Sequence, residues 1–184
     1  MRVLGIDPGL TRCGLGVVDA AGGRSVSLVD VSVARSDVDL PIEHRLGQIF
    51  DAVDAVFDAF RPDAVALERV FAQHNVRTVM GTAQISGVVM VQARTRGVPV
   101  SLYTPSEVKA AVTGQGRATK DQVGFMVAKV LGLSEPPKPA DAADALAIAI
   151  AHAWRSGTRV PGGSSATPAQ ERWAQAERAA RKRD

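Results

Sequence analysis

The sequence predicts an α/β fold: a five-stranded mixed sheet with helices on both faces. Three observations lead there. Three segments of β character come first and in succession, and after them helical and strand patterns alternate, which gives antiparallel strands continued by βαβ units. Aromatic residues make up only 4% of the chain, so the core is built mainly from Val, Ala, Leu and Ile, which favours compact α/β packing. The 184 residues, 46% of them hydrophobic, suffice for one core and not for two.

The elements follow in order. Residues 2–7 form a short apolar run stopped by Pro8-Gly9, and 13–19 and 25–34 are two further β-rich runs, with Gly22-Gly23 as the turn between them. Over 40–60, Leu46, Ile49, Phe50, Val53, Val56, Phe57 and Phe60 recur at intervals of three and four, the period of an amphipathic helix. A buried strand is expected at 63–68 and a helix containing Gly81 and Gly87 at 75–96, followed by a fifth strand at 98–103. Thr104-Pro105-Ser106-Glu107 reads as a capping box with proline in the first helical position, so a short helix starts there. A Gly114-Gln115-Gly116 loop leads into a helix at 119–131, Pro136-Pro137-Lys138-Pro139 breaks the chain, and the Ala- and Ile-rich stretch 141–155 forms the last helix.

Residues 1–156 therefore make one domain, and 157–184 make a basic tail of linker composition followed by a charged stretch. The tail holds six Arg or Lys against three acids while the body holds sixteen of each, so the net charge of +3 belongs to the tail. The high isoelectric point then says nothing about what the folded body binds. A single cysteine, Cys13, excludes an internal disulfide and any Cys-rich zinc site, which suits a reducing compartment, and a cytoplasmic location is expected. No apolar run reaches membrane-spanning length, and no signal peptide or anchor is expected.

Four acids carry the chemistry. Asp7 ends the first strand and Glu68 the fourth, and in an α/β sheet ligands gather at the carboxyl ends of neighbouring strands. Asp141 and Asp144 stand three apart at the start of the last helix, hence on one face of it. Each has an ordinary explanation alone. Asp7 can cap the Pro8-Gly9 turn, Glu68 can pair with Arg69 or Arg61, and Asp141 can be a helix cap. Asp144 suits such a reading least, because Ala142-Ala143 and Ala145-Leu146-Ala147-Ile148 around it look buried. Brought together, the four would repel one another unless cations joined them. Oxygen-only ligands point to Mg²⁺ or Mn²⁺, and paired ions are a common arrangement for cleaving phosphodiesters.

Gly5-Ile6-Asp7-Pro8-Gly9, Glu68-Arg69-Val70-Phe71 and Asp141-Ala142-Ala143-Asp144-Ala145-Leu146-Ala147, in this order and spacing, resemble the RuvC family of crossover-junction endodeoxyribonucleases, from Arg2 to about Trp154. The resemblance implies an RNase H-like fold and a homodimer that nicks four-way (Holliday) DNA junctions symmetrically. It also implies use of Mg²⁺, two ions per site with Mn²⁺ able to substitute, and action beside the RuvA-RuvB branch-migration complex in recombination and repair. The family's catalytic acids fall on Asp7, Glu68, Asp141 and Asp144. Phe71 falls where the family has a wedge that stacks on unpaired bases, against the alternative that it packs beneath its own loop. Lys109 and Lys120 match lysines that contact DNA, and Arg117 stands beside them at the glycine loop.

The same resemblance makes the 75–96 helix, with small residues Gly81, Ala83, Ser86 and Gly87, part of the dimer contact; close packing on its own sheet explains the pattern equally. His44, His74 and His152 read as structural or polar surface residues. Competing readings are an RNase H-like nuclease for structured RNA, a junction binder without catalysis, and an ATP-binding domain of the actin and Hsp70 type, whose phosphate loop resembles Gly5 to Thr11. This chain is short for the two lobes of the last, and a junction binder is expected to lack one of the acids.

Overall fold

The structure, a computed structural model, describes residues 1–70 and 76–157, with side chains described over 1–70 and 79–156. The elements are β1 (Arg2–Asp7), β2 (Arg12–Gly22), β3 (Ser25–Arg35), α1 (Ile42–Phe60), β4 (Ala64–Glu68), α2 (Val76–Thr95), β5 (Val100–Tyr103), α3 (Pro105–Thr113), α4 (Lys120–Leu131) and α5 (Ala140–Gly157). The sheet order is β3-β2-β1-β4-β5. β1, β2 and β3 pair antiparallel, whereas β1, β4 and β5 pair parallel, so the sheet is mixed as expected.

Elements differ from expectation mainly at their ends. β2 runs on to Gly22, and the hairpin turns through Gly22 and Gly23 at φ of +104° and +59°, values that side chains resist. α1 begins at Ile42, after Pro41, because the residue before a proline is pushed out of helical geometry. β5 begins only after Pro99, which has no N–H to give the ladder. The capping box is present: Thr104 Oγ1 accepts from the Glu107 amide at 3.2 Å, and the Thr104 amide donates to Glu107 Oε2 at 2.8 Å. Thr119 and Gln122 form a second one ahead of α4. The tail proper and Phe71 lie outside the described residues.

Alternation along the strands sends side chains to two cores. Leu4 and Ile6 of β1, with Leu15, Val17, Val65 and Leu67, pack beneath Ile49, Val53 and Phe57 of α1 and Ile85, Val89 and Ala93 of α2. On the other face Val3, Val18 and Ala66 meet α3, α4 and the apolar stretch 146–151 of α5. Helix α5 does not rest on side chains alone. It lies against the backbone of Gly5, Gly14 and Gly16, which face it from paired positions of β1 and β2. A Cβ on Gly5 would overlap the Ala145 carbonyl, one on Gly14 the Asp141 carbonyl, and one on Gly16 would sit 2.9 Å from the Leu146 nitrogen. This absence of side chains seats the helix that carries Asp141 and Asp144 directly on the strand that ends in Asp7.

Among the described residues no helix is long and apolar enough to cross a membrane.

Candidate active site

In the parallel pair, Ile6 is the register partner of Leu67, so the residues that follow, Asp7 and Glu68, stand side by side at the carboxyl ends of β1 and β4. Asp144 reaches the same place from the first turns of α5. Together they line a cleft of about 280 Å³ whose walls include Lys109 of α3 and Lys120 of α4, with Pro105, Val108, Val123, Ala147 and Ile148 beneath. Three acids from distant parts of the chain therefore share one opening, flanked by two lysines.

The electrostatics of the cleft are those of crowded carboxylates. Burial, then the negative charges of Glu68, Asp144 and Asp141, push the Asp7 carboxyl up to about 7, and Lys120 offsets part of this. Glu68 is raised as well, first by burial and then by Asp144, with Lys120 and Lys109 acting in the opposite direction. Lys120 Nζ donates to Asp144 Oδ2 at 2.9 Å, and that contact is the largest cause of its own raised pKa. No ion pair joins Glu68 to Arg61 or Arg69 among the described residues, so the ordinary explanation for Glu68 fails.

Asp141 faces elsewhere. It lines a neighbouring cleft, of about 360 Å³, together with residues 9–12, Arg45, Gly81 and Thr82. Arg12 Nε lies 3.1 Å from Asp141 Oδ2, yet that buried oxygen has no hydrogen bond, because the ion pair lacks hydrogen-bond geometry. The expected convergence of four acids is therefore incomplete: three meet in one cleft and the fourth stands at its edge, close enough to act on Asp7 through its charge.

The chain matches the family model described as crossover junction endodeoxyribonuclease RuvC over residues 3–152. It belongs to the RuvC family. Similar proteins include the crossover junction endodeoxyribonuclease RuvC of Leifsonia xyli subsp. xyli, 57% identical over 193 residues, with 97% of this chain and 92% of the relative covered. That of Paenarthrobacter aurescens is 56% identical, covering 100% of this chain and 98% of its own. Among solved structures, Thermus thermophilus RuvC in complex with Holliday junction substrate superposes with a TM-score of 0.81 at 41% identity, covering 86% of this chain and 96% of that one. The yeast mitochondrial Holliday junction resolvase, 15% identical with a TM-score of 0.59 over 84% of this chain and 79% of its own, shares the fold. The protein is thus an endodeoxyribonuclease of the RuvC type, and the ATP-binding reading is set aside.

RuvC-family nucleases are metal-dependent, and the donor set here fits a hard divalent cation: carboxylate oxygens only, one of them buried without a hydrogen bond, beside an Asp7 carboxyl that burial and then the other acids push up to about 7. Among the described residues no three acidic, His or Cys groups are gathered at metal-binding range. Asp144 and Asp141 are instead in contact with Lys120 and Arg12.

Of the expected DNA-contacting residues, Lys109 and Lys120 line the RuvC cleft, and Arg117 is exposed on the loop ahead of α4. His152 is structural: its Nδ1 shares a 2.9 Å hydrogen bond with the Tyr103 hydroxyl and its Nε2 lies 3.1 Å from Ser156 Oγ. His44 is exposed on α1, and His74 lies outside the described residues. Cys13 is buried, and burial pushes its thiol up to about 12, so it is inert.

Sequence reasoning missed Arg12 and Arg45, which lie beside the acids. Arg12 carried a legible signal, since it opens the strand antiparallel to the one that ends in Asp7.

Proposed function

We propose that the protein resolves four-way DNA junctions by paired symmetrical nicks that leave 5′-phosphate and 3′-hydroxyl ends, with Asp7, Glu68, Asp141 and Asp144 holding two Mg²⁺ ions, replaceable by Mn²⁺. The observation that carries this reading is the meeting of Asp7, Glu68 and Asp144, from three separate segments, in one cleft walled by Lys109 and Lys120. Bound divalent ions supply Lewis-acid activation of the scissile phosphate and of attacking water. The chain's own part is positioning. Asp7, whose carboxyl burial and then the neighbouring acids push up to about 7, would give up its proton to a bound cation, and Glu68 beside it is raised in the same direction, first by burial. Lys109 and Lys120 draw the phosphate backbone to the mouth of the cleft. Phe71, by its place after Glu68, stacks on an opened base step, and Arg117 adds a backbone contact.

Symmetrical cuts need two related sites, and α2 supports a two-fold dimer. Its small residues divide: Gly81 lies 3.1 Å from Leu10 measured at its missing Cβ, and Ser86 Oγ donates to the Thr82 carbonyl at 2.8 Å. Ala83 and Gly87, however, are exposed alongside Met80, Met90 and Val91, a stripe at intervals of three and four on the face opposite Ile85 and Val89. Close packing on its own sheet explains the first pair and not this stripe. By the family resemblance the dimer works in the cytoplasm beside the RuvA-RuvB branch-migration complex, and the basic tail, 157–184, serves either unspecific phosphate contacts or solubility.

Labelled four-way junction, linear duplex and RNA–DNA hybrid, offered side by side with Mg²⁺ and with chelator, test the reading. Paired nicks confined to the junction and lost with chelator are expected. Cutting of the hybrid in preference to the junction would favour structured RNA, and junction binding with no cutting in Mg²⁺ would leave a binding protein only.

A further inference from the structure

A second cleft adjoins the carboxylates through Asp141, and the nuclease assignment gives it no task. Its walls are residues 9–12 of the β1–β2 turn, Arg45 of α1, and Gly81 and Thr82 of α2. Arg45 Nε donates to Ser36 Oγ at 3.0 Å and Nη2 donates to Thr11 Oγ1 at 2.9 Å, while Ser36 Oγ donates in turn to the Leu10 carbonyl. Hydroxyls alone hold this guanidinium, and among the described residues no carboxylate pairs with it. Arg12, half-exposed at 52%, meets Asp141 only through an ion pair that leaves Oδ2 without a hydrogen bond. The cleft thus holds two arginines and one carboxylate, which pairs with Arg12 alone, and it keeps a net positive charge with planar donor forks, the geometry that suits a phosphodiester.

We propose that this cleft binds a non-scissile backbone phosphate of the DNA, with Arg12 and Arg45 as its cations and the Thr11 hydroxyl as an additional contact. The proposal rests on the nuclease reading and adds to it a second hold on the strand. Lys109 and Lys120 grip it at one cleft and the two arginines at the next, with the acids between the grips. Drawing Arg12 onto the phosphate also frees Asp141 Oδ2 for a cation.

Arg12→Gln alone is ambiguous, because it also bares the charge of Asp141 to the DNA. The decisive comparison is Asp141→Asn against Arg12→Gln/Asp141→Asn, read by fluorescence anisotropy on four-way junction and linear duplex across 50–200 mM salt with chelator present. The double variant is expected to bind several-fold more weakly than Asp141→Asn, with a salt slope smaller by about one. Arg45→Gln is expected to lower the slope similarly, and thermal melts report separately any loosening of the turn it staples. Equal affinity and slope for Asp141→Asn and the double variant would overturn the proposal, leaving Arg12 as a mere counter-charge. Wild-type protein that binds junction and duplex alike would overturn the junction reading instead, and the same pair of variants would still decide the subsite.

Discussion

Lys120 Nζ sits 2.9 Å from Asp144 Oδ2 while its side chain remains 74% exposed. So open a pair contributes little to stability, and its importance lies in the field it sets up. Lys120 lowers the pKa of both Asp7 and Glu68, and the same ammonium stands at the mouth of the cleft where a phosphate would arrive. Replacing it by Gln is expected to move the titration of Asp7 upward from about 7, followed by carbon NMR of the labelled carboxyl without metal. It is also expected to reduce the salt slope of junction binding by about one. An unmoved Asp7 titration would show that the lysine field does not reach the acid.

Asp7 makes the metal-free protein sensitive to pH, in a direction opposite to that of a salt-bridged acid. Its folded pKa of about 7 lies above the 3.8 of an ordinary aspartate, so between these values the native state binds more protons than the unfolded chain. Stability contributed by the shift is fully present below the lower value and is lost as pH rises through the upper one. The gap of about three units corresponds to about 4 kcal/mol. Asp7→Asn removes this cost, so in urea denaturation with chelator it is expected to gain about 4 kcal/mol at pH 8 and less than half of that at pH 5. Cleavage is expected to vanish in the same variant while junction binding persists. A gain that does not grow with pH would mean that the acid is not crowded.

The sequence made most of this legible, and the exceptions share a cause. Hydrophobic period fixed which segment is strand or helix, and Thr104, Pro105 and Glu107 marked a helix start by local chemistry alone. Asp7 and Glu68 were legible because strand ends in such sheets are recurrent ligand positions. Arg45 and the turn it holds were not, since its meeting with Thr11 and Ser36 depends on how α1 sits over the β1–β2 turn, a tertiary fact without local periodicity. The same holds for Gly5, Gly14 and Gly16. Sequence shows three strand glycines, while their purpose shows only with α5 in place.

Those glycines predict a sharp contrast between two alanine substitutions. Gly5→Ala drives its Cβ into the Ala145 carbonyl and to within 2.6 Å of the Ala149 nitrogen, both backbone atoms that cannot swing aside. The cost is expected to exceed the roughly 1–3 kcal/mol of ordinary overpacking, and displacement of α5 also takes Asp144 away from Asp7. Gly47, inside α1 with nothing within 4 Å of its missing Cβ, is the control. Gly47→Ala is expected to stabilise by up to about 1 kcal/mol through helix propensity. Urea melts of the two variants with opposite signs support the packing account; equal signs would refute it.

The exposed stripe on α2 gives the last prediction. Val91 is 62% and Met80 56% exposed, and both are apolar enough to be buried by a second copy. Val91→Glu places two like charges near each other across a two-fold contact, where desolvation adds to repulsion, so dissociation into monomers is expected in analytical ultracentrifugation. The fold is expected to survive, because Val91 lies outside the core, and far-ultraviolet dichroism and melting temperature should match the wild type. Each remaining site would keep its acids, yet the partner that makes the second nick would be absent. The expected signature is therefore loss of paired symmetrical cutting together with loss of the dimer. A variant that stays dimeric and still cuts both strands in concert would place the two-fold contact on another face.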